Sequence, residues 1–393
     1  LSLTARHFFR NLYFSSITLG SLVIGVSVVI LFGLWDRYEL GYNQQLPDAE
    51  RVFVVMNNEL YEGNWETREE YYTPIDDYLT RSVPEVEYMT RIDNTKQQLK
   101  SSHGVALRKV GIYADTTFFN VFGTTSVEGN MDRPFANNRS IAISEKVADQ
   151  LFKNSSALGQ YVSLDGKREY QVSLVYKPFP GDCDLNYVHF VLPFNAVPRQ
   201  PDESINYYVK LHEGVAKEAV EKKLDQYLLK LFPEGTSTSL LFGLPDWHLY
   251  WSFENGKPSG GGRITYLVIF NVTTAFVLLM ACINYVNLAT ARASRRAKEI
   301  GVRKVNGATQ RVLVRQFLTE SILLSMTATV LGLGIVLLML PVIRDFIGVP
   351  LVWHWDDPAV WIGLPVIALV VGLLAGAYPS LLLSSLRPAL ILK

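Results

Sequence analysis

Residues 281–324 read ACINYVNLATARASRRAKEIGVRKVNGATQRVLVRQFLTESILL. Both ends of this stretch are apolar and its middle is basic. Arg292, Arg295, Arg296, Lys298, Arg303, Lys304, Arg311 and Arg315 are opposed there by Glu299 alone. Cytoplasmic loops of membrane proteins carry an excess of Lys and Arg, so the middle of the stretch is expected in the cytoplasm and its two ends in the bilayer. The first apolar helix can run on past the membrane as a basic stalk. A short amphipathic piece follows from Glu299 to Val305, with Glu299 and Arg303 spaced i,i+4 as an ion pair. Gly307 ends it, because glycine tolerates the left-handed backbone of a helix C-terminus, and Thr309 can cap the next helix.

Working outward, four segments are long and apolar enough to cross a bilayer core of about 30 Å. They are expected at 15–35, 263–289, 317–340 and 361–385. A charge in mid-span costs about 2.5–3.5 kcal/mol, and all four avoid one. The first, with ITLGSLVIGVSVVILFGL from Ile17 to Leu34, runs straight into Trp35, Asp36 and Arg37 with no cleavage site, and so reads as an uncleaved anchor. Arg6, His7 and Arg10 precede it, and Arg387 and Lys393 follow the last span. The loop at 341–360 has Arg344 against Asp345, Asp356 and Asp357. The charge bias therefore places the 290–316 loop, the start (1–14) and the tail (386–393) in the cytoplasm, and 36–262 outside. Trp353, Trp355 and Trp361 suit the outer aromatic belt.

Residues 36–262 have the pattern of a folded mixed domain. RVFVVM (51–56) and SIAIS (140–144) are β-branched runs that favour strands. Val162–Leu164 and Tyr170–Tyr176 flank Asp165-Gly166, a hairpin turn signal. Residues 74–81 and 215–231 have helical spacing, the latter with Val220, Leu224, Tyr227, Leu228 and Leu231 on one face. Ser259 to Gly262 reads as a flexible hinge at the membrane surface. Catalytic chemistry is hard to find. His103, His189, His212 and His248 show no metal-ligand spacing, and no G-x-S-x-G elbow occurs. Glu69-Glu70 and Asp76-Asp77 read as solvated charges rather than acid/base pairs. Cys183 and Cys282, one in the outside region and one in a span, make an improbable disulfide. Lys+Arg and Asp+Glu both total 37, so nothing argues for nucleic acid, which needs a basic stripe. Gly256-Lys257 precedes Pro258 and Gly166-Lys167 precedes Arg168, in neither case Ser or Thr, so no Walker A loop is present.

The basic loop closely resembles the signature of MacB/FtsX-type ABC transporter permeases, roughly R-x-x-E-I-G-x-R-K-x-x-G-A before a Q-F-x-x-E helix. Arg296, Glu299, Ile300, Gly301, Arg303, Lys304, Gly307 and Ala308 match it, followed by Gln316, Phe317 and Glu320. RHFFRNLYFSSITLGSLVIG near the start is similar to the family's surface elbow helix and first span. ADTTFFNVFG (114–123), AISEKVADQLF (142–152) and GAYPSLLLSSLRPALILK (376–393) also look family-like. The resemblance implies a membrane protein with four transmembrane α-helices, arranged 1 + 3, and a large periplasmic mixed α+β domain of two subdomains between the first and second span. It makes 1–14 an elbow helix, 36–262 a MacB-like periplasmic core domain and the Glu299–Gly307 piece the coupling helix that docks on a cytoplasmic ABC ATPase.

On that footing the chain is expected to be no enzyme and to bind no cofactor directly, with ATP and Mg on the partner ATPase. The bacterial inner membrane is its expected location. Small residues let helices approach closely in lipid; Gly20 and Gly25 in the first span, and Gly372 and Gly376 in the last, are candidates for helix packing. Leu1 in place of Met suggests that sequence upstream is missing, and Lys393 falls about where a second copy of the unit would begin. A homodimer and a two-repeat permease are both left open, and a periplasmic adaptor with an outer-membrane protein are further expected partners. The leading expectation is export of a peptide, lipid, lipoprotein or drug. The alternatives are an ATP-driven regulator of a periplasmic cell-wall hydrolase and, behind it, an ATP-independent receptor.

Overall fold

The computed structural model describes residues 12–102, 104–153, 155–198, 203–291, 302 and 304–385. The chain divides into two compact units: Leu1–Arg37 with Tyr266–Lys393, and Tyr38–Thr265.

The first unit is a helical bundle. Helix α1 (Leu12–Leu40) is apolar through its middle, and three more long helices return later in the chain: α7 (Gly262–Ala291), α8 (Gln310–Ile347) and α9 (Pro358–Ser385). Each of the four is long and apolar enough to cross a membrane. At 1.5 Å per residue, α8 is about 57 Å long, well beyond a bilayer core of about 30 Å, so its ends stand outside the apolar layer. In lipid the helices gain little from hydrophobic burial, and close van der Waals packing holds them together.

Small residues provide that packing. A Cβ added to Gly25 would stand 2.9 Å from the Ala281 methyl, one added to Gly372 only 2.7 Å from the Ile322 Cα, and one at Gly376 2.6 Å from Ser321 Oγ. Ser27 Oγ donates to the Gly332 carbonyl at 3.3 Å, and the Tyr285 and Ser321 hydroxyls are 2.7 Å apart. Gly20 has nothing within 4 Å of its would-be Cβ. Gly372→Ala is therefore expected to cost about 1–3 kcal/mol by overpacking, read as a lower melting temperature in detergent. Gly20→Ala should be neutral or slightly stabilising, since alanine is the better helix former.

The outer domain is a 12-stranded sheet with helices packed on it. In chain order its elements are β1 (Val52–Tyr61), β2 (Asn64–Arg68), β3 (Glu70–Tyr71), α2 (Asp76–Ser82), β4 (Val86–Ser101), β5 (Ala106–Ala114), α3 (Phe118–Phe122), β6 (Ser126–Gly129), β7 (Ser140–Ser144), α4 (Glu145–Phe152), β8 (Tyr161–Leu164), β9 (Arg168–Tyr176), β10 (Phe190–Pro193), β11 (Ile205–Leu211), α5 (Lys217–Leu231), β12 (Ser237–Gly243) and α6 (Leu244–Trp247). A separate hairpin, β13 (Ser252–Glu254) with β14 (Lys257–Gly260), precedes α7. The main path runs β12-β1-β11-β4-β5-β10-β7-β9-β6.

Two lobes share this sheet. In one, α2 and α5 lay Leu79, Val220, Leu224 and Leu228 on β1, β11 and β12. In the other, α4 lays Val147, Leu151 and Phe152 on β7, β9 and β10. Between them an aromatic core gathers Phe118, Phe119, Phe122, Tyr176 and Phe179, with ring centroids 5.1–6.0 Å apart in tilted and edge-on pairs. The ADTTFFNVFG and AISEKVADQLF stretches are thus core-building segments: one forms α3, the other β7 and α4. Arg91 of β4 ties the core's edge together, pairing through two nitrogens with Asp115 at 2.7 and 2.9 Å and with Asp76 at 3.0 Å.

The expected flexible hinge at 259–262 is corrected by the structure. Gly260 ends β14, and a Cβ on Gly262 would stand 2.8 Å from the Leu249 carbonyl oxygen, while one on Gly261 would overlap Ser252. These glycines, with φ of 121°, 66° and 62° from Gly260 to Gly262, make a packed turn. Close approach of two backbones, not freedom of a linker, is what the run of glycine provides there.

Candidate functional site

The basic loop is described only in part. Arg296, Glu299, Ile300, Gly301 and Arg303 of the signature lie outside the described residues, as do residues 1–11 and 386–393. What is described is its exit. Residues 304–305 are helical, and Asn306 and Gly307 turn the chain, with N–H groups donating to the Val302 and Lys304 carbonyls at 3.0 Å each. Gly307 has φ 92° with open space where a Cβ would stand. The backbone, rather than a neighbour, excludes other residues, since an L side chain in a left-handed conformation costs about 1–2 kcal/mol.

Ala308 and Thr309 then lead into α8. Thr309 takes the N-cap position with φ −77° and ψ 156°, but its hydroxyl makes no capping bond, against expectation. The first turn is exposed, so water can satisfy its free N–H groups. Gln310 instead reaches across to Ser384 near the end of α9, Nε2 to Oγ 3.3 Å.

A second constellation stands where the chain enters and leaves the outer domain. Glu39, in the last turn of α1, is only 1% exposed, and its Oε2 is 2.7 Å from His248 Nε2. The other ring nitrogen of His248 faces Asp184 Oδ1 at 3.5 Å, and the ring stacks on Tyr42 at 3.6 Å. Arg263, at the start of α7, approaches Glu39 at 3.8 Å. Asn43, fully buried with φ 64°, completes the joint. Its amide donates to Asp184 Oδ2 at 2.6 Å and to the Leu244 carbonyl at 2.9 Å, and its Oδ1 accepts from the Asp184 N–H at 2.8 Å. Four pieces of chain are thereby locked together: the end of α1, the 182–184 loop, α6 with His248, and the first turn of α7. Buried charges and amides hold these four pieces in a geometry that apolar contacts would let slide.

Burial opposes charge on His248, but the hydrogen bonds to Asp184 and Glu39 outweigh it and raise the ring's pKa above its ordinary 6.5. A raised folded-state pKa contributes stability that is complete below the unfolded value and is lost as pH rises through the folded one. The melting temperature of the detergent-purified chain is therefore expected to fall as pH climbs above about 6.5, the ordinary histidine value. His248→Gln should flatten that part of the profile. An unchanged pH profile in the variant would remove His248 from the joint's energetics.

Among the described residues no catalytic grouping emerges. Asp76 takes Arg91, Asp77 takes Arg81 at 3.2 Å, and Glu69 accepts from the Trp247 indole at 2.9 Å, so the adjacent acids serve separate partners. Burial pushes the Cys183 thiol up to about 12, which makes it inert. Cys183 and Cys282 are both free and buried. Among the described residues no group of three or more His, Cys, Asp or Glu is placed to hold a metal. The polar joint carries no local sequence signal: Asn43 meets Asp184 across 141 positions and Glu39 meets His248 across 209.

Comparison with known proteins adds the following. Residues 15–227 match the MacB-like periplasmic core domain, and 271–388 match the FtsX-like permease C-terminal domain. The chain is 23% identical over 339 residues to the pyoverdine export ATP-binding/permease protein PvdT of Pseudomonas fluorescens Pf-5, which covers 84% of this chain and 50% of that protein. It is 23% identical over 405 residues to the ABC transporter permease YknZ of Bacillus subtilis 168, covering 95% of this chain and 93% of that one. The chain thus spans about half the length of the PvdT relatives it matches. The extracellular domain of an ABC-type transporter, YknZ, from Gram-positive bacteria aligns with a TM-score of 0.38 at 16% identity, over 48% of this chain and 99% of that one.

Proposed function

Because this chain belongs to the MacB/FtsX-type ABC transporter permeases, multi-pass proteins of the inner membrane with a periplasmic domain, we propose that it converts ATP hydrolysis by a separate cytoplasmic ATPase into movement of that domain. The work done is export of a peptide, lipid, lipoprotein or drug. The observation that carries this reading is the permease signature, from Arg296 to Ala308, lying in the loop between two membrane helices. In this account Arg296, Glu299, Ile300, Gly301, Arg303, Lys304, Gly307 and Ala308 form the surface the ATPase holds.

Both termini then face the cytoplasm, as the basic flanks favour. ATP and Mg sit on the partner alone. A second permease unit, as another copy or a repeat, completes the transporter, and a periplasmic adaptor with an outer-membrane protein extend it. Relatives named for pyoverdine export support the outward direction. The spans themselves suit transmission better than conduction, since a polar pathway through the bilayer normally needs ionisable residues facing it. The polar joint of Glu39, Asn43, Asp184 and His248 is the point at which helix movement enters the sheet.

The test is gentle extraction of the tagged chain from its native membrane, followed by mass spectrometry of what accompanies it. An ABC ATPase together with adaptor or outer-membrane proteins is expected. Recovery of the intact chain with no ATPase in any mild detergent would overturn the proposal.

A further inference from the structure

Trp251 stands apart from the other aromatic residues of the outer domain. Trp247 donates to Glu69 and packs edge-on against Tyr208 at 5.7 Å. Trp251 is 82% exposed, and no other large apolar side chain described in that domain stands so far out. Its backbone is nonetheless fixed. The Trp251 N–H donates to the Gly260 carbonyl at 3.4 Å, and the Ile264 N–H donates to the Leu249 carbonyl at 2.9 Å. A Cβ on Gly262 would lie 3.1 Å from Trp251 N and 3.2 Å from Trp251 Cβ. Residues 249–251 are thus clamped onto the first turn of α7, a membrane-crossing helix.

This clamp sets the depth of the ring. Gly262 begins α7 and Ile264 begins its apolar run, only about 3 Å further along the helix axis. The head-group zone of a bilayer is roughly 5–7 Å deep on each side of the apolar core. A side chain rooted beside Gly262 therefore emerges inside that zone, not above it. An indole is the side chain best suited there, with an apolar body for the acyl boundary and an N–H for carbonyls and water. Arg263 on the same turn is half-exposed and carries the charge that lipid phosphates favour. The packed glycines 260–262 hold the ring in place, and the turn of the β13–β14 hairpin stands at its far end, at Asn255 and Gly256.

We propose that Trp251 is a lipid anchor: its indole occupies the head-group boundary of the outer leaflet and ties the β13–β14 hairpin, and with it the base of the outer domain, to the bilayer surface. The partner is phospholipid, chosen over a second copy of the chain because of continuity with α7. The inference rests on membrane insertion and is independent of the ATPase reading.

Both native cysteines are buried, so the unmodified full chain serves as the labelling blank. Trp251→Cys and Asn255→Cys chains carry an environment-sensitive dye in vesicles of phosphatidylethanolamine and phosphatidylglycerol. The expected result at 251 is blue-shifted emission, strong quenching by a lipid with a shallow nitroxide and weak quenching by aqueous iodide. At 255 the pattern should reverse. Iodide quenching at 251 equal to that at 255 overturns the proposal. So does a blue shift without lipid quenching, which means that protein, such as a second copy, covers the ring. Trp251→Phe keeps the ring size and gives a check free of the label. Shallow-nitroxide quenching of total tryptophan fluorescence should fall in that variant, and no change counts against the anchor.

Discussion

Glu299→Lys is expected to leave the chain inserted and folded but to weaken its association with the proposed ATPase partner strongly and, with it, any export. On the helical spacing expected from the sequence, reversing the charge would turn an attractive i,i+4 pair with Arg303 into a repulsive one, at a cost of only a few tenths of a kcal/mol. That is far too little to unfold a domain whose stability is about 5–15 kcal/mol. Any large functional loss must therefore come from the docking surface. A loss of at least about tenfold in ATPase recovered per permease, or 1.4 kcal/mol of binding, is expected with an unchanged melting temperature. The contrast is Arg311→Glu, which alters charge nearby but outside the signature and should dock nearly normally. Normal ATPase recovery with Glu299→Lys would remove this piece from the interface.

The largest stability effect is expected from Glu39→Ala. Glu39 is buried, and its loss leaves His248 facing one carboxylate instead of two and Arg263 without the acid at 3.8 Å. Removing one partner of a buried pair costs about 3–5 kcal/mol. Arg263 is half-exposed and can turn to water, so about 2–4 kcal/mol is a fairer range here by the same rule. The outer domain should melt earlier and become protease-sensitive around residues 40–46, where Asn43 holds the chain to Asp184. Glu39→Gln keeps an acceptor for His248 and should lose less than half as much. Equal losses in the two variants would mean that size, not charge, is what matters at this position.

The membrane architecture is legible because its signal is local. An apolar run of about 20 residues is a complete statement about a span, and the basic loop needs no partner to be read. The Asp165-Gly166 hairpin is equally local, and both residues take positive φ, 50° and 67°. Strand β4 was far less visible: NTKQQLKS (94–101) has almost no apolar alternation, yet it pairs with β5 and β8 on its two sides. Along 94–98 its ladder is to β5 alone, and β8 adds a second edge only at 99–101. The run at 259–262 misled because glycine serves flexibility and tight packing alike, and only the neighbours decide which. The polar joint was out of reach for a further reason. Glu39, Asn43, Asp184 and His248 look like four ordinary surface residues until the fold removes the water around them.

If ATP hydrolysis moves the periplasmic domain, the joint at its root must feel the nucleotide. The direct measurement is hydrogen exchange on the permease–ATPase complex in a bilayer, compared between ADP and a trapped ATP state. It follows peptides covering 38–46, 182–188 and 244–262 against the distant β7–α4 segment at 140–152. A nucleotide-dependent change in protection at the root, with β7–α4 unchanged, is the predicted result. Identical protection at the root in both states, while the complex hydrolyses ATP, would contradict the coupling account.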